Sequence, residues 1–166
     1  MSLDNFRLNP LLVQQLYTKS LVAFDTTAAP VGVEKKSTLP YLGRNEKNIL
    51  ILVYARDAAF LPDEELALLV GILTACKLSL ADVAVINFFN NPATTYDILL
   101  AQFSPKAMFL FGVLPEELLF PLHFPFFQLQ QYNEQTYISA PSLTMLSTNK
   151  DHKKALWGCL QKYISN

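Results

Sequence analysis

The chain has 166 residues, a length that suits one domain carrying a short appendage. Hydrophobic residues make up 51% and charged residues only 16%, against a usual charged share of about 25%, and this balance excludes disorder over most of the chain. Thirteen Lys and Arg against fourteen Asp and Glu leave a net charge of −1, which provides no broad positive footprint for a phosphate backbone and argues against strong direct DNA binding.

The longest apolar runs, Leu66–Leu73 and Ala107–Leu114, fall well short of the roughly 18 residues a membrane-spanning helix needs. No membrane association is therefore expected. The start, Met1-Ser2-Leu3-Asp4-Asn5, lacks the basic and apolar regions of a secretory signal, so a cytoplasmic location is expected. Cys76 and Cys159 fall within expected helices and far apart, which reads as two small buried hydrophobes rather than a disulfide framework or a zinc site. No cofactor or metal is expected.

From the N-terminus, Pro10–Lys19 has Leu12, Leu16 and Lys19 at helical spacing, with Asn9 placed to cap. Residues 1–25 thus read as a segment with one short helix. Residues 26–48 collect Thr, Pro, Gly, Lys and Asn without a period and read as a linker or long loop. The folded domain is expected over 49–166. Its opening run, Ile49–Tyr54, is continuous and rich in branched residues, as a strand covered on both faces requires. Pro62 followed by Asp63, Glu64 and Glu65 marks a helix start, because the macrodipole favours negative charge there, and the helix is expected to reach Lys77.

Further along, Val83–Asn87 reads as a strand, Thr94–Phe103 as a helix, Lys106–Phe111 as a strand and Pro115–Phe120 as a short helix. Phe126–Leu129 reads as a fourth strand and Lys150–Ile164 as a last helix capped by Asn149. The alternation predicts an α/β fold, a three-layer α/β/α arrangement around a central four-stranded parallel sheet, since right-handed crossovers put helices on both sheet faces. One helix breaks the usual pattern: Leu66–Leu73 is apolar nearly all round, where a surface helix shows a single stripe. Its second side needs a cover, either the N-terminal segment folding back or another protein chain.

In open α/β sheets ligands bind beyond the carboxyl ends of the strands. The residues there are Ala55-Arg56-Asp57-Ala58, Asn87-Phe88-Phe89-Asn90, Gly112 and Ala140-Pro141-Ser142. Neither Gly-rich phosphate-binding motif occurs among the five glycines. Ser142 has no nucleophile-elbow context, and His123 and His152 have no ligand-spaced companions. Asp57 is the best single acid or base by position, with an Asx turn or helix cap as its structural alternative. Asn87 is placed either to read a ligand edge or simply to end a strand. His123 is expected to be partly buried and satisfied, and Lys150, Lys153 and Lys154 to form a solvated face.

The order Ile49–Pro62, with Arg56-Asp57-Ala58-Ala59-Phe60-Leu61-Pro62, then Ala140-Pro141-Ser142-Leu143-Thr144-Met145-Leu146, then Lys154-Ala155-Leu156-Trp157 and Leu160, resembles the uracil-DNA glycosylase superfamily. The nearest likeness is to its non-enzymatic branch, the psi subunits of bacterial DNA polymerase III. It spans about residues 45–164, with a fainter echo in Leu11–Tyr17. In active relatives a His-Pro-Ser motif stabilises charge on the departing base. Here the motif reads Ala140-Pro141-Ser142, and alanine has no donor. Asp57 falls where the superfamily's water-activating acid can stand and Asn87 near its base-reading asparagine, but Ala55, Arg56 and Ala58 occur where active relatives use glycine and proline, which allow close backbone approach to the nucleic acid.

The resemblance therefore implies degenerate catalytic positions at Asp57, Asn87 and Ala140. It also implies a non-catalytic replisome adaptor that links clamp-loader subunits to a second, chi-like partner. Leu11, Leu12, Leu16, Tyr17 and Phe24 would be the docking residues of such an adaptor, anchored as an amphipathic helix in a groove. The alternative is a divergent uracil-type DNA glycosylase using Asp57 and Asn87.

Overall fold

The computed structural model describes residues 38–165. The expected helix Pro10–Lys19 and the docking residues Leu11, Leu12, Leu16, Tyr17 and Phe24 lie outside the described residues. The first described strand, β1 (Leu42–Gly43), falls inside the stretch expected to be a linker or long loop, and it pairs antiparallel with the strand Val83–Asn87. Two residues are too few to announce a strand by periodicity. Just before it, Leu39 exchanges two hydrogen bonds with the Gln102 side chain.

The strong apolar runs form strands as expected. β2 (Ile49–Val53), β3 (Val83–Asn87) and β4 (Ala107–Phe111) are buried at every position, the signature of strands covered on both faces. The fourth strand differs from expectation. Phe126–Leu129 contributes one bridge, Phe126 to Ser139, and then turns away with Phe127 at a positive φ of 61°. The polypeptide next forms an antiparallel hairpin of β5 (Leu129–Tyr132) and β6 (Gln135–Ala140), and it is β6 that pairs parallel with β4. The hairpin turns on Asn133 and Glu134, both at positive φ, as a two-residue type I′ turn requires. The usual Asn-Gly signal is missing there, and the alternating polar residues of Gln-Thr-Tyr-Ile-Ser-Ala hide the strand.

The sheet is thus six-stranded and mixed, in the order β1-β3-β2-β4-β6-β5, instead of four-stranded and parallel throughout. Its four inner strands run parallel and its two edges antiparallel. Helix α1 (Asp63–Ala75) starts after Pro62 with three acids in its first turn. It ends in a Schellman motif, Leu78 N–H to Leu73 C=O at 2.8 Å and Lys77 N–H to Thr74 C=O at 3.0 Å, with Lys77 left-handed. Helix α2 (Tyr96–Phe103) is shorter than expected, and Pro115–Leu118 is a 3-10 turn. Helix α3 (Leu143–Thr148) was not expected; α4 (Lys150–Ser165) was, and the Asn149 side chain caps it by accepting from Asp151 and His152.

Alternation along the strands divides the core. Ile49, Ile51 and Val53 face Leu69 and Leu73 of α1 and Leu156 and Leu160 of α4, while Leu50 and Leu52 face Tyr96, Leu99 and Phe103 of α2. Helices therefore cover both faces. Burying each such side chain stabilises the fold by roughly 1.5–3 kcal/mol, so the sheet centre is the most stable part. Cys76 and Cys159 are buried free thiols of the first cluster, as expected, and burial pushes both thiol pKa values up.

Candidate functional site

The four parallel strands end on one edge, where Val53 is in register with Asn87 and with Phe111, and Phe111 with Ala140. Asp57, Asn87, Gly112 and Ala140 are thereby brought to the same side of the sheet. Asn87 occupies the centre of the loop network there. Its Oδ1 accepts from the backbone N–H groups of Ala55 and Phe89, both at 3.1 Å, and its Nδ2 donates to the carbonyls of Ala55 at 2.7 Å and Ala58 at 2.9 Å. An amide side chain has two donors and two acceptor lone pairs. All four are used inside the fold, and the residue is 1% exposed.

Two neighbours extend the clamp. Asn90 donates to the Ala58 and Ala59 carbonyls at 3.0 Å, and Asn91 donates to the Asn87 carbonyl at 3.0 Å. Three asparagines thus tie the β2 loop to the β3 loop through groups that would otherwise need water, which fixes the backbone around Asp57. The Asp57 side chain itself is exposed and, among the described residues, has no hydrogen-bond partner, so neither an Asx turn nor a cap accounts for it. Next to it Arg56 lies 6.0 Å from the Tyr54 ring centroid, and Tyr54 meets Phe89 edge-on at 5.5 Å.

On the other half of the edge, Ala140 is fully buried and presents only a methyl group. Gly112 closes over it. Its N–H donates to the Ala140 carbonyl at 3.0 Å, its φ is +71°, and a Cβ there would come within 2.9 Å of the Ser142 Cβ. Only glycine tolerates both conditions. Ser142 caps α3, its hydroxyl accepting from the Met145 N–H at 3.4 Å. The edge therefore offers one exposed carboxylate, with no donor at Ala140 and no free amide at Asn87.

The histidines lie elsewhere in this network. Contrary to expectation His123 is exposed, and its Nδ1 stands 2.8 Å from Glu116. His152 packs tilted on Phe127 at 5.5 Å. Among the described residues no group of three His, Cys, Asp or Glu is placed to hold a metal ion, and no helix is long and apolar enough to cross a membrane. Lys150, Lys153 and Lys154 are exposed at the start of α4.

Behind the edge, Tyr137 is fully buried, and its hydroxyl, the Tyr96 hydroxyl 2.8 Å away and the Gln135 Oε1 acceptor form one cluster, in which one hydroxyl donates to the other and the second donates to Gln135. Burial, and then the bond to Tyr96, holds the Tyr137 phenol far above its ordinary pKa. Phe124 stacks on it with ring centroids 5.1 Å apart. These rings form a packed aromatic core.

An apolar opening lies away from the strand ends. It is a groove of about 320 Å³ between α1 and α4, with Leu68, Ile72, Leu146, Leu156 and Leu160 below and Trp157 and Lys153 along one wall. The all-round apolar character of Leu66–Leu73 is legible in the sequence but the α4 wall is not, because only the fold brings Lys153 and Trp157 beside α1. The fold is mixed α/β, with helices on both faces of one sheet. No protein-family model matches the chain, and no curated protein does.

Proposed function

We propose that the protein is a non-catalytic adaptor on a three-layer α/β/α scaffold of the uracil-DNA glycosylase type, resembling the psi subunits, with clamp-loader subunits and a chi-like protein as partners. The supporting observation is the saturated Asn87 amide. A base-reading asparagine needs at least one free donor or acceptor toward the base edge, and every one at Asn87 is bound to the protein's own backbone. The methyl of Ala140 adds to this reading. The donor that a histidine would aim at a developing negative charge, of a type worth several kcal/mol in transition-state stabilisation, has no counterpart there. The family and partner assignments rest on the resemblance in residues 45–164.

The discriminating experiment has two arms. Full-length protein incubated with uracil-containing single-stranded DNA is expected to leave no abasic sites. Turnover that disappears in Asp57→Asn would replace this reading with the divergent glycosylase, for which the exposed, unpartnered Asp57 carboxylate is the favouring observation. In the second arm, clamp-loader subunits are expected to capture the whole chain and to lose it when residues 1–25 are removed. Failure of capture by the whole chain removes the adaptor assignment.

A further inference from the structure

The sequence of α1 ends in opposite charges. Asp63, Glu64 and Glu65 fill its first turn, Lys77 follows its last, and the eleven residues from Leu66 to Cys76 carry no charge at all. Its outer side is nevertheless solvent-facing: Ala67, Val70, Gly71, Thr74 and Ala75 are exposed, Val70 by 40%. A surface helix without a polar face is normally one that something covers. The groove beside it is lined by apolar residues save Lys153, with the half-exposed Trp157 on its far wall.

Gly71 gives a second indication. It lies in mid-helix and lines the groove, yet a Cβ built there would meet no atom of the described residues within 4 Å. Glycine in a helix interior weakens the helix relative to alanine, and nothing among the described residues requires it. Close approach by an outside backbone does.

We infer that the α1–α4 groove is the contact surface for a second copy of this chain, with the two α1 helices packed antiparallel about a twofold axis near Gly71. The reason is self-complementarity. A twofold interface uses one patch twice, so each residue must suit the residue that the axis places opposite. About Gly71 the axis sets Ala67 against Ala75 and Gly71 against itself, small against small, which permits a close helix approach. It also brings the acidic first turn, Asp63 and Glu64, beside Lys77 of the other copy, opposite charge against opposite charge at both ends. Val70 of each copy flanks the junction on one side and Ile72 of each on the other, where Trp157 closes over it. An unrelated apolar peptide would use the floor of the groove but not this mirrored order of charges.

Trp157 is the only tryptophan of the chain, so its emission reports on the groove. Full-length protein in sedimentation velocity is expected to pass from monomer to dimer with rising concentration, and Trp157 to blue-shift and become less accessible to iodide over the same range. Gly71→Lys places a better helix former on a solvent-facing site and puts two like charges at the axis. It is expected to fold, by circular dichroism, and to weaken association at least tenfold. Lys77→Glu is expected to weaken it several-fold, and the combined Glu64→Lys/Lys77→Glu chain to recover, because the exchange restores opposite charges on both sides of the axis. Three results would each overturn the inference. One is a monomer at every concentration, including one with Trp157 shielded at every dilution, which assigns the cover to the same chain. Another is dimerisation indifferent to Gly71→Lys. The last is no recovery in the doubly exchanged chain.

Discussion

The carboxyl edge of the sheet and the α1–α4 groove use their surfaces in opposite ways. At the edge, polar groups are abundant but turned inward: Asn87, Asn90 and Asn91 bind six backbone groups between them. In the groove polar groups are scarce, and apolar side chains stand without cover. Position in a fold is thus a poor guide to function by itself. At the edge where α/β proteins usually bind ligands the loops consume the Asn87 amide themselves, while the α1–α4 groove leaves apolar side chains uncovered among the described residues.

The comparison breaks most readily at Asn87. Asn87→Ala leaves two N–H groups and the Ala55 carbonyl of a buried loop without their side-chain partner, while the Ala58 carbonyl keeps Asn90, and at roughly 1–3 kcal/mol per orphaned group, partly relieved by water, a loss of about 3 kcal/mol is expected in urea denaturation. A loss under about 1 kcal/mol would mean that the edge is loose and its amide free for other work. Next comes Gly112→Ala. Strain at φ +71° and the approach to Ser142 are expected to lower stability by about 2 kcal/mol. The same exchange in the other region, Gly71→Ala, has the opposite sign: at concentrations where the chain is monomeric it is expected to raise stability by about 0.5–1 kcal/mol, since the added methyl meets open space.

Tyr137 sharpens the contrast through pH. Its folded pKa lies above the unfolded value of 10.0, so the unfolded chain releases this proton first. The contribution is complete below about pH 10 and declines as pH rises toward the folded pKa. Absorbance titration is expected to find at least one tyrosine that does not ionise before alkaline unfolding. Tyr137→Phe, which removes the hydroxyl shared with Tyr96 and Gln135, is expected to lose about 1 kcal/mol at neutral pH and to flatten the alkaline decline. An unchanged alkaline slope would show that Tyr137 is not the group responsible.

Much of the framework was legible in residue order. Ile49–Val53, Val83–Asn87 and Ala107–Phe111 announced themselves because strands buried on both faces leave no place for polar residues. Pro62 with its acids and Asn149 marked two helix starts through local capping physics. The hairpin after Phe126 stayed hidden because β6 mixes Gln, Thr and Ser with apolar residues and its turn uses Asn-Glu instead of Asn-Gly. Helix α3 stayed hidden because six residues are too few to display a period. Among the candidate residues, Asp57, Asn87 and Ala140 do share one edge, but the saturation of Asn87 could not be seen. The carbonyls it binds belong to residues about thirty positions away.

By itself the sequence determined the α/β class, the run of buried strands and the missing side-chain donor at position 140, since each depends on residue type and short-range spacing. Tertiary structure alone decided which polar groups were already partnered and which apolar face was left open. Both are properties of neighbours brought together from distant parts of the chain, and no local pattern records them.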